Sequence, residues 1–415
     1  MLLKHGRIID PASSLDRVCD LRISGDRIAA VGFDLLPDSS EHVIDCTGLV
    51  VMPGLIDMHL HLGDLFDIND SPVNKAACDG VTLGLSPGAG NTYMAPALLG
   101  AEIDRGAPVN MGVYLGAAAV LGASLSEAEI IRLFRHELDE DTKFQKLSRN
   151  SIVNATAHLA VGIKDHMGHF ILSDDHIKEI FAITSEAGLI FMSHTQDPAH
   201  AERLVRLSGG RPLHLGHATA TGCGTHDDGL AGFRRVLALI DGKTVTGEFV
   251  SSMLLPCRGR RDGLLIDERA RQAALQALAD HQVSIMVSDG QSGATMKGFG
   301  NTADNLPAIF YLAEQGVLSL SDSVALMTAN PAALLAERTG QKLFREQFGT
   351  LAQGAFANIT IADPLSGRAS CTIVNGQTAA FDGCLIRKGA ASGRWIHHLG
   401  VTENLSVGDL PLYRQ

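Results

Sequence analysis

The sequence has little that would mark a secreted, membrane-bound or nucleic-acid-binding protein. Its seven cysteines are odd in number, none lies in a CxxC pair, and the first two, Cys19 and Cys46, are already far apart. This spacing suits free thiols in a reducing compartment rather than a disulfide framework. No uninterrupted apolar run approaches the ~18 residues needed to span a bilayer. The opening MLLKHGRIIDP reaches Lys4, Arg7 and Asp10 before a signal-peptide core could form. Positive charge is also in short supply: 34 Lys and Arg against 46 Asp and Glu leave a net charge of −12, which repels polyphosphates and anionic membranes. The expectations are therefore a cytoplasmic location, no nucleic-acid partner and no membrane partner. There is one Trp, yet 45% hydrophobic and 19% charged residues over 415 positions suffice for a sizeable core. That length allows one large barrel with an accessory domain, or two to three smaller units.

The first fifty or so residues read as short strands broken by turns: LLKHGRII, then DLRIS and RIAAVG around Gly25-Asp26, then EHVIDCTGLVV. From Met52 the rhythm changes to apolar strands alternating with helical patterns, as in VTLGLSP, SEAEIIRLFRHEL, SDDHIKEIFAITSEAG, LIFMSHT and DERARQAALQALADHQ. Eight strands can be counted between Met52 and Asp289, the pattern of repeated βα units around a parallel sheet. Short β signals return in ANITIAD and CTIVNGQTAAFDG, with Asn375-Gly376 as a hairpin turn pair. A (β/α)8 TIM barrel with a small β-sandwich domain built from both chain ends fits this order better than a doubly wound sheet. The expected boundaries are 1–51 for the first part of the β-domain, 52–345 for the barrel, and 346–415 for the rest of the β-domain and the tail.

Candidate site residues follow the apolar strands. GLIDMHLHLG sets His59 and His61 two apart, so that a strand's period of two turns both imidazoles to one side, where they can grip one divalent cation. Lys164 in HLAVGIKDHMG, His194 in LIFMSHTQDP, His217 in LHLGHATATG and Asp289 in SIMVSDGQ occupy similar strand ends, which in barrels form the active face. His214 lies three residues before His217, so strand alternation lets only one of them enter the barrel mouth. Glu248, inside KTVTGEF, is a buried-strand carboxylate without an obvious partner.

The order HxH, Lys, His, His, Asp on successive strands, together with PGLIDMHLHLG, TANPAALLA and GTLAQGAFANITIAD, resembles the amidohydrolase superfamily in its two-metal, dihydroorotase- and hydantoinase-like subtype. The resemblance runs from about Leu2 to about Gly376. It implies that His59, His61 and Asp289 hold one metal, that His194 and His217 hold the second, and that Lys164, carboxylated by carbon dioxide, bridges both. The run HATAT after His217 resembles the stretch that follows the sixth-strand histidine in dihydroorotases and hydantoinases, which selects His217 over His214. Two divalent ions, with zinc suited to mixed imidazole and carboxylate ligands, would activate water and polarise a carbonyl. Asp289 would take and return the proton.

The implied activity is hydrolysis of a C–N bond in a small amide, cyclic amide or N-acyl compound by a homo-oligomeric enzyme. The same site could open a lactone or ester, and some relatives are non-catalytic scaffolds that have lost ligands; here every ligand position is filled. Gly63 stands where dihydroorotases carry the arginine that binds the substrate carboxylate, which points away from biosynthetic dihydroorotase activity. Arg258, Arg260 and Arg261 in LLPCRGRRDG could clamp a substrate carboxylate bidentately. A solvated loop or a subunit contact would use the same charges.

Overall fold

The computed structural model describes residues 1–62, 72–87, 91–167, 171–257, 265–290, 299–386 and 392–410. The first strands are β1 (Leu2–Asp10), β2 (Leu15–Ser24), β3 (Arg27–Gly32), β4 (Val43–Asp45) and β5 (Val50–Pro53). β2 and β3 form a hairpin across Gly25-Asp26, and β1 pairs antiparallel with β2 and parallel with β4 and β5.

Eight parallel strands follow, separated by helices: β6 (Leu55–Asp57), β7 (Val81–Ser86), β8 (Asn110–Gly116), β9 (Gly162–Asp165), β10 (Ile190–His194), β11 (Leu213–Gly216), β12 (Val245–Val250) and β13 (Ile285–Val287). Each pairs with its successor in chain order. The ring closes where Leu60, beyond β6, bridges in parallel to Gly290, beyond β13. Alternation separates two cores. Along β10, Ile190 and Met192 pack with Ile56, Leu83, Leu85 and Val287, whereas Leu189 and Phe191 pack with residues of the surrounding helices such as Ile180 and Phe181. A closed ring of short parallel strands has no free edge, so every strand can be buried on both faces.

The helices start and stop on local signals. Helix Asp174–Ala187 begins at Ser173, whose hydroxyl accepts the His176 N–H, and ends at Gly188 with φ 69°, the N-cap and left-handed C-cap that its sequence anticipates. Among the described residues no helix is long and apolar enough to cross a membrane, and all seven cysteines are free.

β14 (Ile359–Asp363), β15 (Arg368–Val374), β16 (Gln377–Phe381) and β17 (Cys384–Leu385) return to the first sheet, where β14 pairs antiparallel with β5. Both chain ends thus build one nine-stranded sheet, with a core that includes Leu3, Ile8, Leu21, Val51, Ile359 and Ile373. Asn375-Gly376 makes the tight turn between β15 and β16, with φ 45° and 80°, and a Cβ at Gly376 would collide with the Gly25 carbonyl oxygen. β18 (Trp395–His397) and β19 (Gly400–Thr402) then join the barrel sheet: β18 pairs parallel with β8 at Met111 and Gly112, and β9 takes up β8 from Tyr114 onward.

Barrel and end-built sheet are joined by three buried asparagines. The Asn110 side-chain amide donates to Asn358 Oδ1 at 3.1 Å, Asn358 donates to Asn375 Oδ1 at 3.2 Å, and Asn375 donates back to Asn110 Oδ1 at 2.8 Å. Asn358 Oδ1 also accepts the Asn375 backbone N–H at 3.0 Å. Asn358→Ala would leave several buried groups without partners, each at a cost of about 1–3 kcal/mol. We expect the variant to lose about 2–4 kcal/mol of stability, read as a lower denaturation midpoint in urea; an unchanged midpoint would show that the ring is not a structural tie.

Candidate metal centre

The ends of the barrel strands carry the polar residues on the face that is apolar lower in the barrel. Along β10, Ile190 and Met192 share their side with His194; beyond β13, Asp289 continues the side of Ile285 and Val287. The buried Asp57, at the end of β6, accepts the His59 N–H at 3.3 Å, the Ser288 N–H at 3.1 Å and the Asn305 side-chain amide at 3.4 Å. The first and last barrel strands are thereby tied together directly beneath His59 and Asp289.

His59 Nε2 lies 3.1 Å from Asp289 Oδ1, and His61 Nε2 lies 3.2 Å from the same oxygen. The ligand atoms of His59, His61 and Asp289 all fall within 4.8 Å of one another, a group able to hold a metal ion. Asp289 adopts φ 46°, and its second oxygen accepts the Phe299 N–H at 2.7 Å. Lys164, 1% exposed, brings Nζ to 2.7 Å from His59 Nε2. His217 Nε2 lies 3.0 Å from His194 Nδ1, and the His217 ring centroid is 4.9 Å from that of His59. Gly216 permits this closeness, since a Cβ there would stand 2.9 Å from the Ser193 carbonyl oxygen and 3.2 Å from His59 Cε1.

Burial, and then the charge of Lys164, pulls the His194 imidazole down to about 3. Burial and the neighbouring His194 take His217 well below its ordinary value. Burial pushes the Asp289 carboxyl upward, but the close approach of His59 and His61 outweighs it and holds the carboxyl well below the usual range. Neutral imidazoles beside an anionic carboxylate are the forms that bind a divalent cation. The donor set fits a metal: all three members of the His59, His61, Asp289 group are buried, and among the described residues His217 Nδ1 has no hydrogen-bond partner while Nε2 faces His194.

His59, His61, Lys164, His194, His217 and Asp289 thus converge, while Gly63, Arg258, Arg260 and Arg261 lie outside the described residues. Two expectations need correction. Strand alternation was to admit only one of His214 and His217, yet both reach the cluster, because His217 leaves β11 in a left-handed conformation with φ 38° that breaks the period of two. Glu248, expected to lack a partner, has three: His59 Nδ1 against Oε1, His214 Nε2 at 2.9 Å from Oε2, and the His217 N–H at 3.0 Å from Oε1. Burial pushes the Glu248 carboxyl up, but His59 and His214 outweigh that and hold it below the usual range. One signal was available in the sequence, since a carboxylate inside an otherwise apolar central strand must be paired. His166, two residues beyond Lys164, is buried, with no partner for its Nε2 among the described residues, whereas His158 lies elsewhere, 4.2 Å from His136 between ring centroids.

The amidohydrolase family model matches residues 50–382. A dihydroorotase from Syntrophotalea carbinolica is 26% identical, over 91% of this chain and 98% of that protein. A dihydroorotase from Lactococcus lactis is 46% identical over 77 residues, 19% of this chain and 18% of that protein. Two solved structures share the fold. A D-hydantoinase (dihydropyrimidinase) from Thermus sp. has a TM-score of 0.67 at 18% identity, covering 97% of this chain and 99% of that one. An L-hydantoinase (dihydropyrimidinase) from Arthrobacter aurescens has a TM-score of 0.65 at 18% identity, covering 95% and 99%. The family match spans the eight barrel strands together with β5 and β14 to β16, and its chemistry is the one for which the buried imidazoles and carboxylate are suited: this chain belongs to the amidohydrolase family and is a metal-dependent hydrolase.

Proposed function

We propose that the protein is a two-metal hydrolase that cleaves a C–N bond in a small cyclic amide, amide or N-acyl compound. His59, His61 and Asp289 would hold one divalent ion, His194 and His217 the other, and Lys164 would bridge them as its carbamate. The observation that carries this reading is the placement of Lys164, buried with Nζ 2.7 Å from His59 Nε2. An ammonium there would repel cations. Carbon dioxide adding to the neutral amine, with loss of a proton, yields a carbamate whose two oxygens can serve two metals.

When bound, the metals would polarise the scissile carbonyl and lower the pKa of the attacking water. Asp289, whose Oδ1 faces both His59 and His61, would take the proton from that water and return it to the leaving nitrogen. Similarity to proteins named dihydroorotase and hydantoinase supports a cyclic amide, and Gly63 in place of the dihydroorotase arginine supports one other than the biosynthetic substrate. Arg258, Arg260 and Arg261 are a candidate clamp for a substrate carboxylate. The proposal includes zinc as the metal and a cytoplasmic, homo-oligomeric enzyme.

Protein purified without chelators should carry close to two divalent ions per chain by elemental analysis; no metal, even after metal addition, would defeat the reading. Lys164→Ala should lose metal and turnover together, with partial recovery of both on adding a short carboxylic acid, and full activity in that variant would remove the bridge. Asp289→Asn keeps an oxygen near the metals but cannot accept the proton. Its turnover should fall by a factor of about 10²–10⁴ while the fold stays native and metal is largely retained; near-native turnover would reject the proton-transfer role.

A further inference from the structure

We infer that Glu248 is a positioning residue that fixes one ligand of each proposed metal subsite, an inference that rests on the two-metal reading above. Glu248 lies in β12 and is 0% exposed, so no bulk water can substitute for its partners. Oε1 faces His59 Nδ1. A neutral imidazole carries one proton; Glu248 Oε1 approaches the ring more closely than Asp289 does and draws that proton to Nδ1, which leaves the lone pair on Nε2 beside the Lys164 amine. That nitrogen is the one turned toward Asp289 and Lys164. Without the carboxylate, the proton could sit on Nε2 and cap the ligand atom.

The same Oε1 accepts the His217 backbone N–H at 3.0 Å. His217 has φ 38°, which a side chain with a Cβ rarely adopts, and no side chain caps the turn that follows. This turn carries the His217 ring back over His59 and against His194. Oε2 is held in turn by His214 Nε2 at 2.9 Å, and His214 Nδ1 lies 2.9 Å from Thr246 Oγ1, whose hydroxyl can donate to it. Every polar atom from Thr246 through His214 to Glu248 then has a partner, so the carboxylate has one orientation. A neutral residue would cost less to bury here than a carboxylate, which points to a directional role for the charge.

Glu248→Gln separates the parts. The glutamine oxygen can still accept from His59 and His217, and its amide can donate to His214 once that ring's proton moves to the nitrogen facing Thr246, so shape survives while the charge is lost. Glu248→Ala removes both. Zinc-loaded wild type and both variants should be compared by chelator competition, with circular dichroism and the melting of the metal-free proteins measured alongside. Loss of a carboxylate that holds the far nitrogen of a ligating histidine typically weakens metal binding by about 10–100-fold. We expect that loss in Glu248→Ala and a smaller one in Glu248→Gln, with native circular dichroism and unchanged metal-free melting in Glu248→Gln. Nitrogen NMR of histidine-labelled, metal-free protein should show the His59 proton on Nδ1 in the wild type and divided between the nitrogens in Glu248→Ala. Equal zinc affinity in all three proteins, or loss of the native fold in both variants, would overturn the positioning role. A wild type that binds no zinc would instead defeat the two-metal reading.

Discussion

Everything at this site depends on burying Lys164 against the imidazole of His59, with Nζ 2.7 Å from Nε2 and 1% of the lysine exposed. A basic amine and several imidazoles cannot be gathered in a dry interior as cations without strong mutual repulsion. The cluster is coherent when the histidines are neutral, when Asp289 and Glu248 are anionic, and when divalent charge balances the whole. The downward displacement of His194 and His217 agrees with that arrangement. In the proposed two-metal centre, carboxylation of Lys164 would complete it by replacing an amine with an anion.

The barrel delivers this cluster by a simple rule and two exceptions. Interior positions are apolar until the end of each strand, where the next inward residue is polar, as in Ile190, Met192, His194 along β10. The exceptions are in the backbone: His217 and Asp289 are both left-handed, which turns His217 inward against alternation while Asp289 stays on the inward side of Ile285 and Val287. Such conformations persist only when the surroundings over-determine them. Glu248 holds the amide of His217, and Phe299 holds an oxygen of Asp289. Beneath them, Asp57 ties the chain after β6 to the chain after β13, so the point at which the barrel closes is also the point at which His59 meets Asp289.

The barrel, its end-built sheet and the six converging side chains were legible because each leaves a local mark: an apolar run, a turn pair such as Asn375-Gly376, or a polar residue directly after a strand. Glu248 and His214 were not, because their meaning depends on register. Only the pairing of β11 with β12, and the reach of His59 across the barrel, shows that one carboxylate serves three partners. Alternation also misjudged His214 against His217, since a period of two holds only while the backbone stays extended. The asparagine ring has the same character, joining Asn110 of the barrel to Asn358 and Asn375, which lie far along the chain from it.

The most direct test is a crystal structure of the zinc-loaded protein with anomalous data collected at the zinc edge. Two separate peaks are predicted, one bounded by His59, His61 and Asp289 and the other by His194 and His217, with continuous density extending from Lys164 Nζ to both. A single peak, or an unmodified lysine amine between two metals, would contradict the two-metal centre bridged by a lysine carbamate.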